Sequence, residues 1–471
     1  MVGFRHVATV TGAGFLSNIT DLSIATVDGQ HVLYSATHVG GGITAMQIDG
    51  ADSRVMLIGA TAYDRAVSYF REPRVNIVQI GDSAMVAMSN TGNTAMMAMQ
   101  IAPSGVVART TSTASTALRQ IGTGIVSVGQ FSTAEGDFVY ATREKSTALM
   151  LLRVQSDGAL KQVAQSATAP AGVRVDAGLD YVLPVQVGGQ NVLVTLSALG
   201  NFISSHVIAA NGAVRRAEYL GTGEITGYAA PRVAASISID GQTYIVVGSS
   251  DSSSLTVFRL ARDGGMVAVD HVIDEGSTRF MRATAMDAVV LDGRAYVFVG
   301  GADDGITMFM LRPDGRLVHL ETLADDHLLT LARVSAIKAQ VIDGKIVLFV
   351  SSAVKSGITQ LVVEPGPVGI TGTVAGERPV GTARDDYMIA GRDAIWMSGG
   401  AGNDTLVAGE NSIALVGGPG ADTFVPSNIK GRIAIRDFEV GVDRLDFSNL
   451  GMVRSIYQLT ILPQSWGAKI R

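Results

Sequence analysis

The chain of 471 residues contains no cysteine. That excludes disulfides, zinc–thiolate sites and cysteine nucleophiles. Charge is sparse: Asp, Glu, Lys and Arg make up 17%, and no block of Lys or Arg stands out. With a formal net charge of −6, a nucleic-acid partner is not expected. No apolar run reaches the ~18 residues that a membrane helix needs, so membrane insertion is not expected either. The opening MVGFRHVATVTGAG lacks a charged segment followed by a long apolar one. No cleaved secretory signal is therefore expected there. The signatures G-x-S-x-G, H-E-x-x-H and G-x-x-x-x-G-K are missing, as is a G-x-G-x-x-G after a strand. His6, His31, His38, His206, His271, His319 and His327 follow no fixed period, so none marks a repeated catalytic position.

Glycine is abundant instead, with 55 residues, and much of it falls in step. One tight turn recurs as Asp28-Gly29, Gly81-Asp82, Gly136-Asp137, Gly188-Gly189, Asp240-Gly241, Asp292-Gly293 and Asp343-Gly344. The step is roughly 52 residues, the sign of a repeat architecture. A second turn keeps the same beat: Asp49-Gly50, Ser104-Gly105, Asp157-Gly158, Asn211-Gly212, Asp263-Gly264, Asp314-Gly315 and Pro365-Gly366. Asp-Gly and Asn-Gly between apolar runs signal hairpins, because type I′ turns need φ > 0 at both central residues. One unit reads ATAMDAVVL, turn, RAYVFVGG, loop, ITMFMLRP, turn, RLVHLETL, which is four strands. Seven such units predict an all-β, seven-bladed β-propeller over residues 1–366. The seventh unit lacks a clear fourth strand, and FRHVATVTG at 4–12 reads as an orphan one. The expectation is that the N-terminal strand 4–12 closes blade 7.

The blade DGRAYVFVGGADDGITMFMLRPDGRLVHLETL resembles the lactonase-like seven-bladed propellers, over roughly residues 4–366. The resemblance rests on strand and turn spacing. It implies architecture, with a hydrolase in the propeller mouth as the activity the family would bring. The stretch EPGPVGITGTVAGERPV that follows is rich in Pro and Gly and marks a boundary, with 367–380 as linker.

Beyond it the period changes to nine. GTARDDYMI, AGRDAIWMS, GGAGNDTLV, AGENSIALV and GGPGADTFV run without a break from Gly381. The eighth position is apolar throughout: Met388, Met397, Leu406, Leu415 and Phe424. Two units match G-G-x-G-x-D-x-U-x fully, the pattern of calcium-binding parallel β-helices. Glycines permit tight turns with carbonyl oxygens turned inward, the aspartate adds charged oxygen, and such a cradle suits Ca2+ better than Mg2+. The expected ligands are Asp386, Gly399, Gly400, Gly402, Asp404, Gly417, Gly418, Gly420 and Asp422. Residues 381–451 resemble the hemolysin-type (RTX) repeat region, including the flank IRDFEVGVDRLDFSNLG at 435–451. The resemblance implies a short parallel β-roll whose turns stack eighteen residues apart and share ions. Asp386, Asp404 and Asp422 then fall on one side, while Ile395 and Ile413 stand where aspartates should be on the other. The expectation is a one-sided ladder: one ion between the turns of Asp404 and Asp422, a second between those of Asp386 and Asp404, and none opposite.

The resemblance also implies export through a type I secretion channel and folding on meeting extracellular calcium. The C-terminal segment 452–471 reads as the start of a strand module rather than an acidic, hydroxyl-rich tail, which leaves a spike or fibre component of a phage-like particle as an alternative. Arginines recur in the loops entering the inner strands: Arg71 and Arg74, Arg119, Arg174, Arg232, Arg279 and Arg282, Arg333. If they converged, they would favour an acidic glycan or another anionic cell-surface ligand. The alternative is local pairing with neighbouring acids. The leading expectation is an extracellular or surface calcium-binding protein whose propeller is an adhesion platform. The roll could also serve as an oligomerisation surface. A lactonase-like hydrolase is the rival, and a convergent acid–base cluster at the central channel would favour it.

Overall fold

In the computed structural model, residues 3–470 are described except 13, 39–40, 64–68, 92–94, 167–176, 222–226, 365–367, 428–431, 448–449, 451–455 and 465–466. The chain divides into two compact units, residues 4–364 and residues 365–471 together with 1–3.

The first unit is a seven-bladed propeller of four-stranded antiparallel sheets. Its inner strands are Ile19–Val27, Tyr69–Ile80, Ile125–Thr133, Tyr181–Val187, Pro231–Ile239, Ala285–Leu291 and Val334–Ile342. Each packs against the next, and the seventh against the first, so the ring is closed. In blade 7 the outermost strand is Gly3–Val10 from the N-terminus, paired with Ile358–Glu364. Val7 and Val10 join the core between blades 7 and 1, alongside Leu16, Ile19, Phe349, Ile358 and Val362.

The two turn series have different chemistry. Asp28-Gly29, Gly188-Gly189, Asp240-Gly241, Asp292-Gly293 and Asp343-Gly344 have φ > 0 at both residues, the type I′ hairpin that matches strand twist. In five turns of the second series only the glycine is left-handed: Gly105, Gly158, Gly212, Gly264 and Gly315 lie between +80° and +90°, whereas Gly50 is not left-handed and Pro365-Gly366 lies outside the described residues. These are tight turns followed by a bulge. In blade 3 the hairpin turn falls at Ala134-Glu135, because Thr133 pairs with Gly136. It sits two residues before the expected Gly136-Asp137.

Two expectations need correction. Blade 2 ends in a fourth strand of two residues, Val107–Ala108, and an α-helix, Thr113–Gln120, follows it. Ser112 caps that helix by accepting the Ser115 N–H, and Ala114, Ala117 and Leu118 turn inward. Residues 367–380 are not a linker but chiefly a strand, Val368–Val374, in parallel pairing with Asp385–Ala390. Its glycines predict a break, yet Ile370 and Val374 turn inward onto the roll's core.

The second unit is a parallel β-roll of two sheets. One carries Val368–Val374, Asp385–Ala390, Thr405–Val407, Thr423–Val425 and Arg444–Leu445. The other carries Trp396–Ser398, Ala414–Val416 and Ala434–Ile435. Met388 lies beside Leu406, Leu406 beside Phe424 and Phe424 beside Leu445, while Met397, Leu415 and Ile435 stack on the other sheet. Their side chains fill the space between the sheets. Ile461–Gln464 and Gly467–Ile470 form a separate hairpin.

Candidate metal centre and channel cluster

The roll places Asp386, Asp404 and Asp422 on equivalent rungs of one side, each 1% exposed. Their first oxygens form a ladder with the backbone. Asp404 Oδ1 accepts the Asp386 N–H at 2.7 Å, and Asp422 Oδ1 accepts the Asp404 N–H at 2.8 Å. Asp443 adds a further rung, its Oδ1 taking the Asp422 N–H at 2.9 Å. The second oxygens differ. Asp404 Oδ2 and Asp422 Oδ2 are buried and have no hydrogen-bond partner. Burial raises the Asp404 carboxyl to about 7 and the Asp422 carboxyl to about 6, and neighbouring aspartates add to both shifts. Asp386 is saturated instead. Thr382 donates to its Oδ2 from N–H at 2.6 Å and from Oγ1 at 3.0 Å, and Ile370 N–H binds its Oδ1.

The glycines are there because nothing larger fits. A Cβ on Gly399 would stand 2.1 Å from Asp404 Oδ2, and one on Gly417 would stand 2.0 Å from Asp422 Oδ2. Gly400, Gly402, Gly418 and Gly420 have φ of +110°, +118°, +102° and +148°. A Cβ on Gly400, Gly418 or Gly420 would lie 2.0, 1.8 or 1.9 Å from the carbonyl oxygen of Thr382, Gly400 or Gly402. Each of the two full-match turns thus holds an unpaired carboxylate oxygen beside glycines that have no room for a side chain. That donor set fits a hard cation, and the orphaned oxygens are the test it passes. Among the described residues no three His, Asp or Glu side chains form a metal cluster.

On the opposite side the turns are held by neutral groups. Ser412 Oγ accepts the Gly409 N–H at 2.9 Å, and Asn411 Nδ2 donates to Arg392 O at 2.9 Å. Ile413 is 58% exposed. The spacing of eighteen missed Asp443, because an insertion of three residues separates it from Asp422. The triplet Asp443-Arg444-Leu445 keeps the Asp-x-apolar pattern and was the signal that could have found it.

The arginines do not share one position. Arg71 pairs with Asp180, and Arg74 donates to Asp180 O at 2.9 Å while lying 5.4 Å over the Tyr181 ring. Arg119 is on the helix and reaches Ala98 O and Thr110 O at 3.5 and 3.4 Å. Arg232 is exposed on an inner strand, Arg279 is half-buried, and Arg174 lies outside the described residues. Arg282 and Arg333 are equivalent to each other and to Ala230, with φ of +55°, +46° and +54°. Their N–H groups bind Ser253 Oγ, Asp304 Oδ1 and Asn201 Oδ1 at 3.0, 3.0 and 2.8 Å. What recurs is a left-handed corner tied to the preceding blade, and an alanine serves there as well as an arginine.

A different set converges on the ring's axis. Asp21, Arg74 and Tyr181 each stand seven residues before their blade's hairpin turn, and Asp287 and Lys338 stand five before theirs. Asp21 Oδ2 accepts the Val75 N–H at 2.9 Å, and Asp287 Oδ2 accepts the Ala339 N–H at 3.0 Å. Each acid thus ties its inner strand to the next. Lys338 Nζ lies 3.4 Å from Asp287 and keeps 35% of its side chain open. The charge of Asp287 raises the Lys338 ammonium above its usual range. Burial raises the Asp21 carboxyl, against the pull of Arg74 and Lys338, and it raises the Tyr181 hydroxyl as well. No sequence motif announced this cluster, since its members come from five blades.

No family model and no curated protein matches the sequence. Among solved structures, similar ones include a protein from Lactobacillus plantarum, at 16% identity over 69% of this chain and 96% of that one, with a TM-score of 0.47. Another is described as a candidate 6-phosphogluconolactonase from Bacteroides uniformis, at 14% identity over 67% and 88%, with a TM-score of 0.48. A third is the periplasmic gluconolactonase of Pseudomonas aeruginosa, at 17% identity over 65% and 85%, with a TM-score of 0.46.

Proposed function

We propose that this is a calcium-binding protein of the extracellular space or cell surface, in which the roll takes up Ca2+ and the propeller is the working platform. The observation that carries the reading is the pair of buried Oδ2 atoms on Asp404 and Asp422, each left without a donor inside a glycine turn. A buried, unpaired carboxylate oxygen is costly, and a cation removes that cost. Oxygen donors in a glycine turn favour Ca2+, which accepts many oxygens in flexible geometry, over the small, octahedral Mg2+. Extracellular sites of this type bind with dissociation constants of about 0.1–1 mM, so the roll would fill outside a cell and stay empty inside one. Hydrogen exchange across 381–447 tests this on the full chain. Protection should rise steeply with calcium at about 1 mM and not with equal magnesium. Unchanged exchange in both would end the reading.

A second reading concerns the propeller and is favoured by the channel cluster. Arg74 and Lys338 can stabilise negative charge that develops on a carbonyl oxygen. Asp21, with its carboxyl raised by burial, can take the proton of an attacking water. We propose a small hydroxylated ester or lactone as the ligand class. Turnover of a lactone panel by the purified chain, lost in Asp21→Asn, would support catalysis. Binding without turnover would leave a platform. The arginines stand at no common structural position, which gives the acidic-glycan reading no support from the mouth, and retention on acidic polysaccharide columns, in calcium and in chelator, tests it separately.

A further inference from the structure

Asp386, Asp404, Asp422 and Asp443 occupy four successive rungs, and their Oδ1 atoms behave alike. Each accepts one backbone N–H from the rung before: Ile370, Asp386, Asp404 and Asp422. Their Oδ2 atoms divide into two kinds. On the outer rungs, Asp386 Oδ2 accepts the Thr382 N–H at 2.6 Å, and Asp443 Oδ2 accepts the Glu439 N–H at 2.7 Å. Both donors stand four residues before their aspartate. On the inner rungs the residues four before are Gly400 and Gly418, and their N–H groups point elsewhere. Gly400 donates to Gly417 O at 3.1 Å, and Gly418 donates to Asp437 Oδ2 at 2.8 Å. Asp404 Oδ2 and Asp422 Oδ2 are left with nothing.

The difference follows from backbone conformation. Gly400 and Gly418 have φ of +110° and +102°, a region that costs a side-chain-bearing residue dearly. Thr382 and Glu439 are not left-handed, and their amides face back into their own turns. We infer that cation ligation is confined to the two inner rungs, and that the outer rungs are protein-capped ends where an amide four residues earlier takes the cation's place. Asp386 is then a structural cap rather than a ligand, and Asp443 is its counterpart at the far end. Thr382 Oγ1, 3.0 Å from Asp386 Oδ2, supplies a second proton to the same oxygen. The inference rests on the calcium reading above and gives it a boundary at each end.

The test is a set of single Asp→Asn changes in the full chain, followed by calcium calorimetry and by melting in chelator. An inner-rung asparagine puts an amide nitrogen where the unpaired oxygen was. Asp404→Asn and Asp422→Asn should each cut calcium affinity at least tenfold or remove an ion, while the melting temperature in chelator stays level or rises. An outer-rung asparagine sets its amide nitrogen against an N–H donor. Asp386→Asn and Asp443→Asn should lower the melting temperature in chelator but leave ion number unchanged and affinity within about threefold. Loss of an ion, or of affinity by tenfold, in Asp386→Asn would overturn the inference. If that variant does not fold, the same result in Asp443→Asn decides it. Absence of any calcium binding by the unaltered chain would remove the underlying reading, and the two failures are distinguishable.

Discussion

Gly418 and Gly293 both lie left-handed, at φ of +102° and +74°, yet they would answer substitution differently. A Cβ on Gly293 meets nothing within 4 Å, whereas one on Gly418 would stand 1.8 Å from Gly400 O. Gly293→Ala should cost ~1 kcal/mol of backbone strain. Gly418→Ala should cost on the order of 3 kcal/mol and remove calcium binding, because strain and overlap add. Paired thermal scans with and without calcium check both. His206 offers a pH test. It is 2% exposed, its Nε2 is 3.1 Å from Ser204 Oγ, and its Nδ1 has no partner. Burial, with Arg216 adding, lowers its pKa from 6.5 to about 4. The folded state therefore holds a neutral ring at pH values where the unfolded chain has taken a proton. Stability from this site is complete above pH 6.5 and is lost as pH falls toward 4, by ~3 kcal/mol in all. Urea midpoints measured from pH 7.5 to 4.5 should fall, and His206→Gln should flatten that slope. The inner-rung aspartates were legible because glycine tolerates the left-handed turns that other residues resist. The outer caps were not, since their shared donor is a backbone amide four residues before the aspartate, carried once by a threonine and once by a glutamate in an inserted loop, which no side-chain pattern records.

At the scale of elements, the strand Gly3–Val10 shows what closes the ring. Arg5 and Lys345 both pair with Asp52, and Thr9 Oγ1 donates to Leu328 O at 2.5 Å. Val7 and Val10 cover the apolar seam between blades 7 and 1. Without this strand, Ile358–Glu364 would become an open edge. Deleting residues 1–12 should lower the propeller's melting temperature by roughly 10 °C or more and expose blade 7 to proteolysis. A deletion that melts like the parent would show the closure to be dispensable. Blade count and most turn positions were readable from the sequence because hairpin turns favour glycine or aspartate at fixed places, although blade 3 turns at Ala134-Glu135 with neither. The helix Thr113–Gln120 was hidden, since STASTALRQ has no long apolar period and follows a shortened fourth strand. The strand Val368–Val374 was hidden by its glycines, although Ile370 and Val374 turn toward the core. The channel cluster was hidden for a further reason: a ring brings single residues from five repeats to one axis, and no linear spacing records that.

For the whole molecule, the division into residues 4–364 and 365–471 sets a thermodynamic expectation. The carboxylates with unpaired oxygens, Asp404 and Asp422, both belong to the second unit. Calcium should therefore stabilise that unit and leave the propeller where it was. At a concentration of ~100 times the dissociation constant, ligation by the folded state alone adds ~2.7 kcal/mol. A unit of this size shifts by roughly 4–8 °C per kcal/mol, so its transition should rise by roughly 10–20 °C. Scanning calorimetry of the full chain should show two transitions in chelator, of which one moves with calcium. Asp422→Asn should pin the moving transition, and the propeller transition should serve as the internal reference. Equal movement of both transitions would mean that the units unfold as one cooperative body, with calcium in the roll holding the propeller as well.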